Sequence, residues 1–277
     1  MIEPTISSTE PRKEDSDNSV IFRAFKKHFI IIKSIVQMGH EEETNLFSCF
    51  LLEVEGRALV ITAGHVIDIL LKRKEQNAKF AVLDHSERGK DKREVPIVLD
   101  ENNMQSIRVN NFDYGMIALP ELTWRCMLAN GKVAVPNNSW KNSPKNMNDF
   151  EKIYIFGVPT EGVTPKSHNG KITNIDYQFM MYGAQPIARP PSTIDHPEGG
   201  FFYCKLEHQS ERDIDGMSGG PAFGVVRESD EKISFWLLGI QSGWVPHRRE
   251  ISVATIAPLA EGFLDAVRKL GEQRLSA

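Results

Sequence analysis

The sequence predicts an all-β chain made of two antiparallel β-barrels and a C-terminal α-helix. Short segments rich in Val, Ile, Phe and Tyr recur along most of the chain between turn residues, as they do in β-barrel proteins. This pattern disappears between residues 122 and 149, where Pro and Asn accumulate, and then resumes, which indicates two separate sets of strands. Apolar residues return at helical spacing over residues 259–274, which indicates an amphipathic helix.

The strands of both sets can be placed from their enrichment in β-branched and aromatic residues. The first set is predicted at residues 30–38, 47–55, 57–62, 79–83, 95–99, 106–109 and 114–119. The second set is predicted at residues 152–156, 170–176, 177–182, 200–205, 220–226, 233–241 and 251–255. The pair Glu55-Gly56 is typical of a hairpin turn between two of these strands.

Five regions of the chain follow from this pattern. Residues 1–20 are polar and contain Pro4 and Pro11, so we expect them to form a flexible tail. The first barrel is expected at residues 21–125, an inter-barrel linker at 126–149, the second barrel at 150–258 and the C-terminal helix at 259–277.

The composition excludes several classes of protein and partner. The 277 residues are 40% apolar and 25% charged with a formal net charge of −4, so we expect a globular protein without a nucleic acid partner. No stretch reaches the roughly 18 to 20 consecutive apolar residues of a membrane-spanning helix. The first residues lack an export signal, and Cys49, Cys126 and Cys204 lie far apart without a Cys-x-x-Cys pair. These features predict a cytoplasmic protein without a disulfide framework, zinc site or membrane association.

A glycine-rich run at residues 216–221 (GMSGGP) is the first candidate for chemistry. Glycines on both sides of Ser218 permit a tight turn in which the backbone N–H groups of Gly216 and Ser218 point at one spot. Fixed donors of this kind can hold an oxyanion that develops when a serine hydroxyl attacks a carbonyl. The alternative is a glycine-rich turn with an incidental serine.

The serine hydroxyl needs a base, and His65 and Asp113 are the candidates. His65 follows an apolar, strand-like run that begins at Ala58, and Asp113 immediately precedes the apolar segment 114–119. A carboxylate beside an imidazole can orient the ring and stabilise its charged form. Each residue also has a structural interpretation, as a histidine at a strand end or an aspartate in a turn.

Together, three motifs resemble the signatures of the trypsin-like serine peptidases. They are TAGH at residues 62–65, DYGMIAL at 113–119 and GMSGGP at 216–221, in the family's order of His, Asp and Ser. The resemblance covers roughly residues 30–264. Two weaker likenesses agree with it: residues 155–159 (IFGVP) are similar to a strand end early in the second barrel, and residues 238–243 (LGIQSG) resemble the strand that pairs with substrate backbone.

The resemblance implies a chymotrypsin-like fold of two six-stranded barrels and a serine endopeptidase that hydrolyses protein or peptide substrates through an acyl-enzyme on Ser218. In that mechanism His65 takes the proton from Ser218, and Asp113 holds His65 in the productive tautomer. The backbone N–H groups of Gly216 and Ser218 form the oxyanion hole, and neither metal nor cofactor is required. Met217 stands where secreted digestive relatives carry an acidic residue, so we expect a closer likeness to bacterial or intracellular members.

The resemblance also indicates which residues contact the substrate. The candidates are Asp213, Asp215, Gln241, Ser242 and Gly243. An acidic pocket on Asp213 would favour Lys or Arg substrates, whereas Arg212 facing inward would favour acidic ones. Alternatively, Arg212, Asp213 and Asp215 are all exposed loop charges.

Three other functions are alternatives to a constitutively active peptidase. One is a cytosolic effector protease of a signalling or defence system, gated by a regulatory protein partner or a ligand, which the missing self-activation features favour. Another is a catalytically silent binding module, against which the intact trio argues. An esterase on an α/β-hydrolase scaffold is excluded because those enzymes run Ser, acid, His and carry Gly-x-Ser-x-Gly.

Overall fold

The first half of the chain forms one antiparallel sheet in the computed structural model, which describes residues 13–54, 56–84, 93–107, 113–141, 147–190, 200–207, 213–229 and 232–256. Helix α1 (Lys13–Lys26) precedes the sheet, and helix α2 (Gly64–Glu75) lies between its third and fourth strands. The strands are β1 (Phe29–Met38), β2 (Glu41–Val54), β3 (Arg57–Thr62), β4 (Lys79–Asp84), β5 (Arg93–Ile97), β6 (Met104–Ile107) and β7 (Tyr114–Ala118), in the sheet order β5-β4-β1-β2-β3-β7-β6.

This first sheet curls until its two edges approach each other. The edge strands β5 and β6 are consecutive in sequence, and Asn103 Nδ2 donates to Val98 O over 2.7 Å in the connection between them. A flat sheet of seven strands would hold its edges about 29 Å apart, at about 4.8 Å per strand. A connection pinched by this hydrogen bond cannot span that distance, so the sheet must bend into a barrel.

The second half contains a closed six-stranded barrel and a separate hairpin. The strands are β8 (Lys152–Gly157), β9 (Val163–His168), β10 (Lys171–Tyr177), β11 (Met180–Ile187), β12 (Phe201–Leu206), β13 (Pro221–Ser229), β14 (Lys232–Val245) and β15 (Glu250–Thr255). The barrel closes in the order β11-β12-β15-β14-β13-β8, while β9 pairs with β10 outside it. The tip of this hairpin touches the first barrel, where Glu42 N donates to Gly170 O over 2.9 Å.

Helix α1 packs across both barrels and joins them. Its Phe25 is fully buried, and the ring stacks on Phe223 of β13 with 4.1 Å between centroids. Asn18 Oδ1 accepts a hydrogen bond of 2.9 Å from the Tyr154 hydroxyl of β8. Just after the helix, the buried ring of His28 is hydrogen-bonded through Nδ1 to Val133 O over 2.8 Å.

The segment between the barrels is more regular than the linker predicted at residues 126–149. It contains helices α3 (Glu121–Ala129) and α4 (Asn138–Lys141). Between them, Val135 N donates to Leu51 O over 2.8 Å, and Val135 O accepts from Glu53 N over 2.9 Å. The connection is therefore attached to β2 by backbone hydrogen bonds.

The predicted all-β, two-barrel architecture is confirmed, with corrections at several elements. Helix α1 begins at Lys13, inside the segment expected to be a flexible tail, because its apolar residues are covered by the barrels. Helix α2 and strand β9 were not predicted. The helix predicted at residues 259–277 lies outside the described residues. No helix in the described part of the chain is long and apolar enough to span a membrane.

Candidate active site

His65 and Asp113 come together because β3 and β7 are antiparallel neighbours. Thr62 at the end of β3 lies opposite Gly115 at the start of β7. His65 follows β3 in the first turn of α2, and Asp113 immediately precedes β7. Two residues that are 48 positions apart, 113 minus 65, therefore lie at the same end of one strand pair.

Both oxygens of Asp113 bind His65. The Nδ1 atom of the ring lies 2.6 Å from Oδ2, and the backbone N–H of His65 donates to Oδ1 over 2.8 Å. Gly64 makes this approach possible, since a Cβ at that position would lie only 2.9 Å from Asp113 Oδ1. Two contacts to one carboxylate fix the orientation of the imidazole and leave Nε2 on its far side.

A third hydrogen bond to Asp113 comes from the second barrel. Ser242 Oγ on β14 donates to Oδ2 over 2.9 Å. Burial raises the pKa of Asp113, but its hydrogen bonds and charge interaction with His65 outweigh that effect and hold the pKa below its usual value. The buried carboxylate is therefore ionised at neutral pH and can stabilise a protonated His65.

Ser218 lies in a tight loop that is pressed against the first barrel. Gly219, next to it, has φ of +90° and donates its N–H to Gln241 O over 2.8 Å. A Cβ at Gly219 would overlap both Thr62 Oγ1 and Ser48 O of the first barrel. Glycine is thus required beside Ser218, and the contact places the loop next to the strand end that leads into His65.

Gly216 holds a conformation that exposes its N–H. Its φ is +86°, and a Cβ there would overlap Thr160 Oγ1. The preceding carbonyl, Asp215 O, accepts a hydrogen bond of 2.7 Å from Thr160 N. Because the carbonyl and N–H of a trans peptide point in opposite directions, the Gly216 N–H points away from Thr160. Thr160 therefore fixes one expected donor of the oxyanion hole.

The structure distinguishes among the residues that were expected to contact substrate. Gln241 is buried and holds the Ser218 loop through its backbone, while Ser242 binds Asp113. Gly243 lies opposite Ser252 of β15. Asp215 is exposed, and Arg212 lies outside the described residues.

Asp213 is hydrogen-bonded to Trp244, a residue that the sequence did not predict as part of the site. Its Oδ1 accepts a hydrogen bond of 2.6 Å from Trp244 Nε1 and another of 3.0 Å from Asp215 N. Trp244 directly follows residues 238–243, the segment that resembles the substrate-binding strand, and that position was the available signal.

Two of the three cysteines, Cys49 and Cys204, are buried thiols that do not compete with Ser218 as nucleophiles. Burial raises the pKa of both Cys49 and Cys204 to about 12, so neither thiol ionises near neutral pH. The third cysteine, Cys126, lies on α3. Within the described ranges, no group of three or more His, Cys, Asp or Glu side chains is arranged to hold a metal ion.

Comparisons with known proteins give matches among solved structures alone; no family model and no curated protein matches the chain. Deg5 is 13% identical with a TM-score of 0.48, and the match covers 91% of this chain and 95% of that one. An active-form protease from M. tuberculosis is 16% identical with a TM-score of 0.46, over 94% and 92% of the two chains. The tobacco vein mottling virus protease is 10% identical with a TM-score of 0.45, over 84% and 79%.

These solved structures are proteases with the chymotrypsin fold. The family that the sequence motifs resemble has the same fold. Likenesses at such low identity concern the fold, and one fold can carry many functions. The function therefore has to be inferred from the side chains and backbone groups of this chain's own site.

Proposed function

We propose that the chain is a serine endopeptidase that cleaves protein or peptide substrates through an acyl-enzyme on Ser218. The observation that carries this proposal is the double contact of Asp113 with His65, completed by Ser242, beside the loop that presents Ser218. A turn aspartate and a strand-end histidine without a shared function would not need a buried carboxylate bound by three donors.

The proposed reaction uses these groups in the following order. Ser218 Oγ attacks the substrate carbonyl and gives its proton to His65 Nε2, while Asp113 accepts the Nδ1 hydrogen bond. The oxyanion is held by the N–H groups of Gly216 and Ser218. His65 then protonates the leaving amine, and the C–N bond breaks. Water then gives a proton to His65 as its oxygen attacks the acyl carbon, the bond from that carbon to Ser218 Oγ breaks, and His65 returns the proton to Ser218 Oγ.

The described residues contain no hydrogen bond between Ser218 Oγ and His65 Nε2. Catalytic hydrogen bonds are often long in an enzyme without substrate and tighten when the reactant is bound. The serine type is supported by the residue itself and by the protonated state of the two buried thiols, Cys49 and Cys204.

A fluorophosphonate probe tests this proposal directly, because it reacts with an activated serine. The wild-type protein is expected to label at Ser218, mapped by peptide mass spectrometry, and to cleave a denatured protein substrate. Ser218→Ala and His65→Ala should abolish both signals, and Asp113→Asn should lower turnover by about 10⁴-fold because it favours the wrong tautomer of His65. Ser167→Ala, at an exposed serine of β9, is the matched control and should label like the wild type.

Two results would contradict the proposal. If the wild type neither labels nor cleaves, including after addition of cell extract as a source of activator, the chain is not a serine peptidase and the binding-module alternative gains support. Labelling at a serine other than Ser218 would overturn the assignment of the nucleophile.

A further inference from the structure

In the part of the chain that the structure describes, strand β14 leaves one edge unpaired near Ser218. The strand pairs with β13 as far as Ile240, and Gln241 N then donates to Gly220 O. Beyond that point β14 continues to Val245 with β15 as its partner in the described residues. An extended peptide could pair with the other edge. The side chain before the scissile bond would then enter the gap between β14 and the loop 213–217.

Trp244 lies on the face of β14 that meets the loop 213–217. A β-bulge between Gln241 and Gly243 shifts the register, so that Trp244 lies opposite Ile251 of β15. Paired residues share a face of the sheet, and Ile251 is fully buried on the inner face. The Trp244 ring accordingly packs against the buried cluster that contains Ile214 and Met217. Both belong to the loop that leads to Ser218.

The indole also links the two walls of the gap through a hydrogen bond. Trp244 Nε1 donates over 2.6 Å to Asp213 Oδ1, which lies five residues before Ser218. The same oxygen accepts from Asp215 N over 3.0 Å. The acceptor is thus fixed by its own loop, and the hydrogen bond holds the indole between β14 and this loop.

We propose that Trp244, anchored on Asp213, fills the pocket for the residue before the scissile bond and restricts it to small side chains such as Gly, Ala and Ser. This inference rests on the proposed serine endopeptidase function. It assigns Asp213 the role of a positioning residue for the indole, in place of a charge that recognises Lys or Arg. A filled pocket discriminates by volume, and each methylene too many is rejected by about 10 to 200-fold.

Cleavage-site profiling with a peptide library that varies this residue tests the proposal. The wild type is expected to cleave after small residues. Trp244→Gly should raise kcat/KM for Leu or Phe at that position by at least about tenfold, because the ring no longer occupies the space. Trp244→Leu, a smaller truncation, should give an intermediate gain and serves if the glycine variant is unstable.

Two further variants distinguish the effect of the Trp244 ring volume from two other effects, the charge of Asp213 and a general destabilisation of β14. Asp213→Asn keeps the oxygen acceptor and removes the charge, so the small-residue preference should persist. Trp236→Ala removes another indole of β14 that packs on the same buried cluster and lies tilted against Phe150, with 6.2 Å between ring centroids. It should leave the preference unchanged.

The possible failures are distinguishable. A wild type that labels at Ser218 yet cleaves after Lys, Arg or large apolar residues would overturn the filled pocket and leave the peptidase assignment standing. The same conclusion would follow if Trp236→Ala broadened the preference as much as Trp244→Gly did, or if Asp213→Asn abolished a preference for basic residues. A wild type without labelling or cleavage would overturn both.

Discussion

The buried histidine at the end of α1 predicts a specific loss of stability in mild acid. His28 is 2% exposed, its Nδ1 is hydrogen-bonded to Val133 O, and its buried Nε2 has no hydrogen-bond partner among the described residues. Burial lowers the pKa of His28 from 6.5 to about 4, with smaller contributions in the same direction from Lys27 and Lys132. The folded state therefore favours the neutral ring.

The size and direction of the effect follow from linkage. The lowering of the pKa from 6.5 to about 4 corresponds to about 3.5 kcal/mol, at about 1.4 kcal/mol for each unit of pKa. Above pH 6.5 the ring is neutral in both the folded and unfolded states, so nothing is lost. As the pH falls from 6.5 towards 4, His28 is protonated in the unfolded state but stays neutral in the folded state. About 2.5 kcal/mol of stability should disappear between pH 7.5 and pH 4.5.

Urea unfolding followed by tryptophan fluorescence measures this loss. His28→Asn keeps an N–H donor near the position of Nδ1 but does not titrate, so its unfolding free energy should fall by about 2.5 kcal/mol less than that of the wild type over the same pH range. His168→Asn, at an exposed histidine of β9, controls for titration of the other groups and should follow the wild type. Equal pH dependence in His28→Asn and wild type would refute the reasoning.

Three further predictions concern the site. Gly216→Ala should lower kcat/KM by about 10² to 10³-fold by displacing an oxyanion donor, whereas Gly39→Ala, at φ of +64° with open space around it, should cost about 1 kcal/mol in a thermal melt and leave hydrolysis unchanged. Ser242→Ala should lower kcat about tenfold with little change in KM, and Ser242→Thr should restore it, because the hydroxyl stabilises the Asp113 carboxylate. Tyr114→Phe removes the 2.7 Å bond from Tyr114 to Thr255 O and should lower the unfolding free energy by about 1 kcal/mol, measured by urea unfolding.

Strands in the barrel cores could be predicted because their buried positions hold apolar residues, which stand out in the sequence. Strand β3 was predicted at residues 57–62 and is found there, and its last four residues are buried. Strand β9 was missed because it lies outside the barrel, where exposed residues such as Thr164 and Lys166 give no apolar signal. The signal available was Asn169-Gly170, a pair with positive φ at both positions and the turn that favours two-residue hairpins.

Helices α2 and α3 were missed for a different reason. Helix α2 buries Val66, Ile67 and Leu70, and this spacing is helical, but the segment directly follows an apolar strand whose pattern it extends. Helix α3 buries only Thr123 and Met127 within nine residues. Short helices with so few buried positions depend on tertiary contacts, which local sequence does not contain.

Of the candidate site, motifs indicated the three candidate catalytic residues, while the contacts that hold them in place could not be predicted. His65, Asp113 and Ser218 lie in short runs whose residue types are dictated by local backbone needs. The contacts of Thr160 with Asp215 and of Trp244 with Asp213 join residues 55 and 31 positions apart, 215 minus 160 and 244 minus 213, and involve one backbone N–H and one indole. Neither contact can be recognised from the composition of the surrounding sequence.

The contacts that hold these residues show that the candidate site lies at the interface between the two barrels. The first barrel supplies His65 and Asp113, whereas Ser218 and the hydroxyl of Ser242 come from the second. Ser48 of β2 links them, since its Oγ accepts from Val158 N over 3.1 Å and its carbonyl lies against Gly219. A small rotation between the barrels would separate the base from the nucleophile without unfolding either one. Substitutions in α1 that loosen this interface should therefore reduce hydrolysis before they reduce secondary structure.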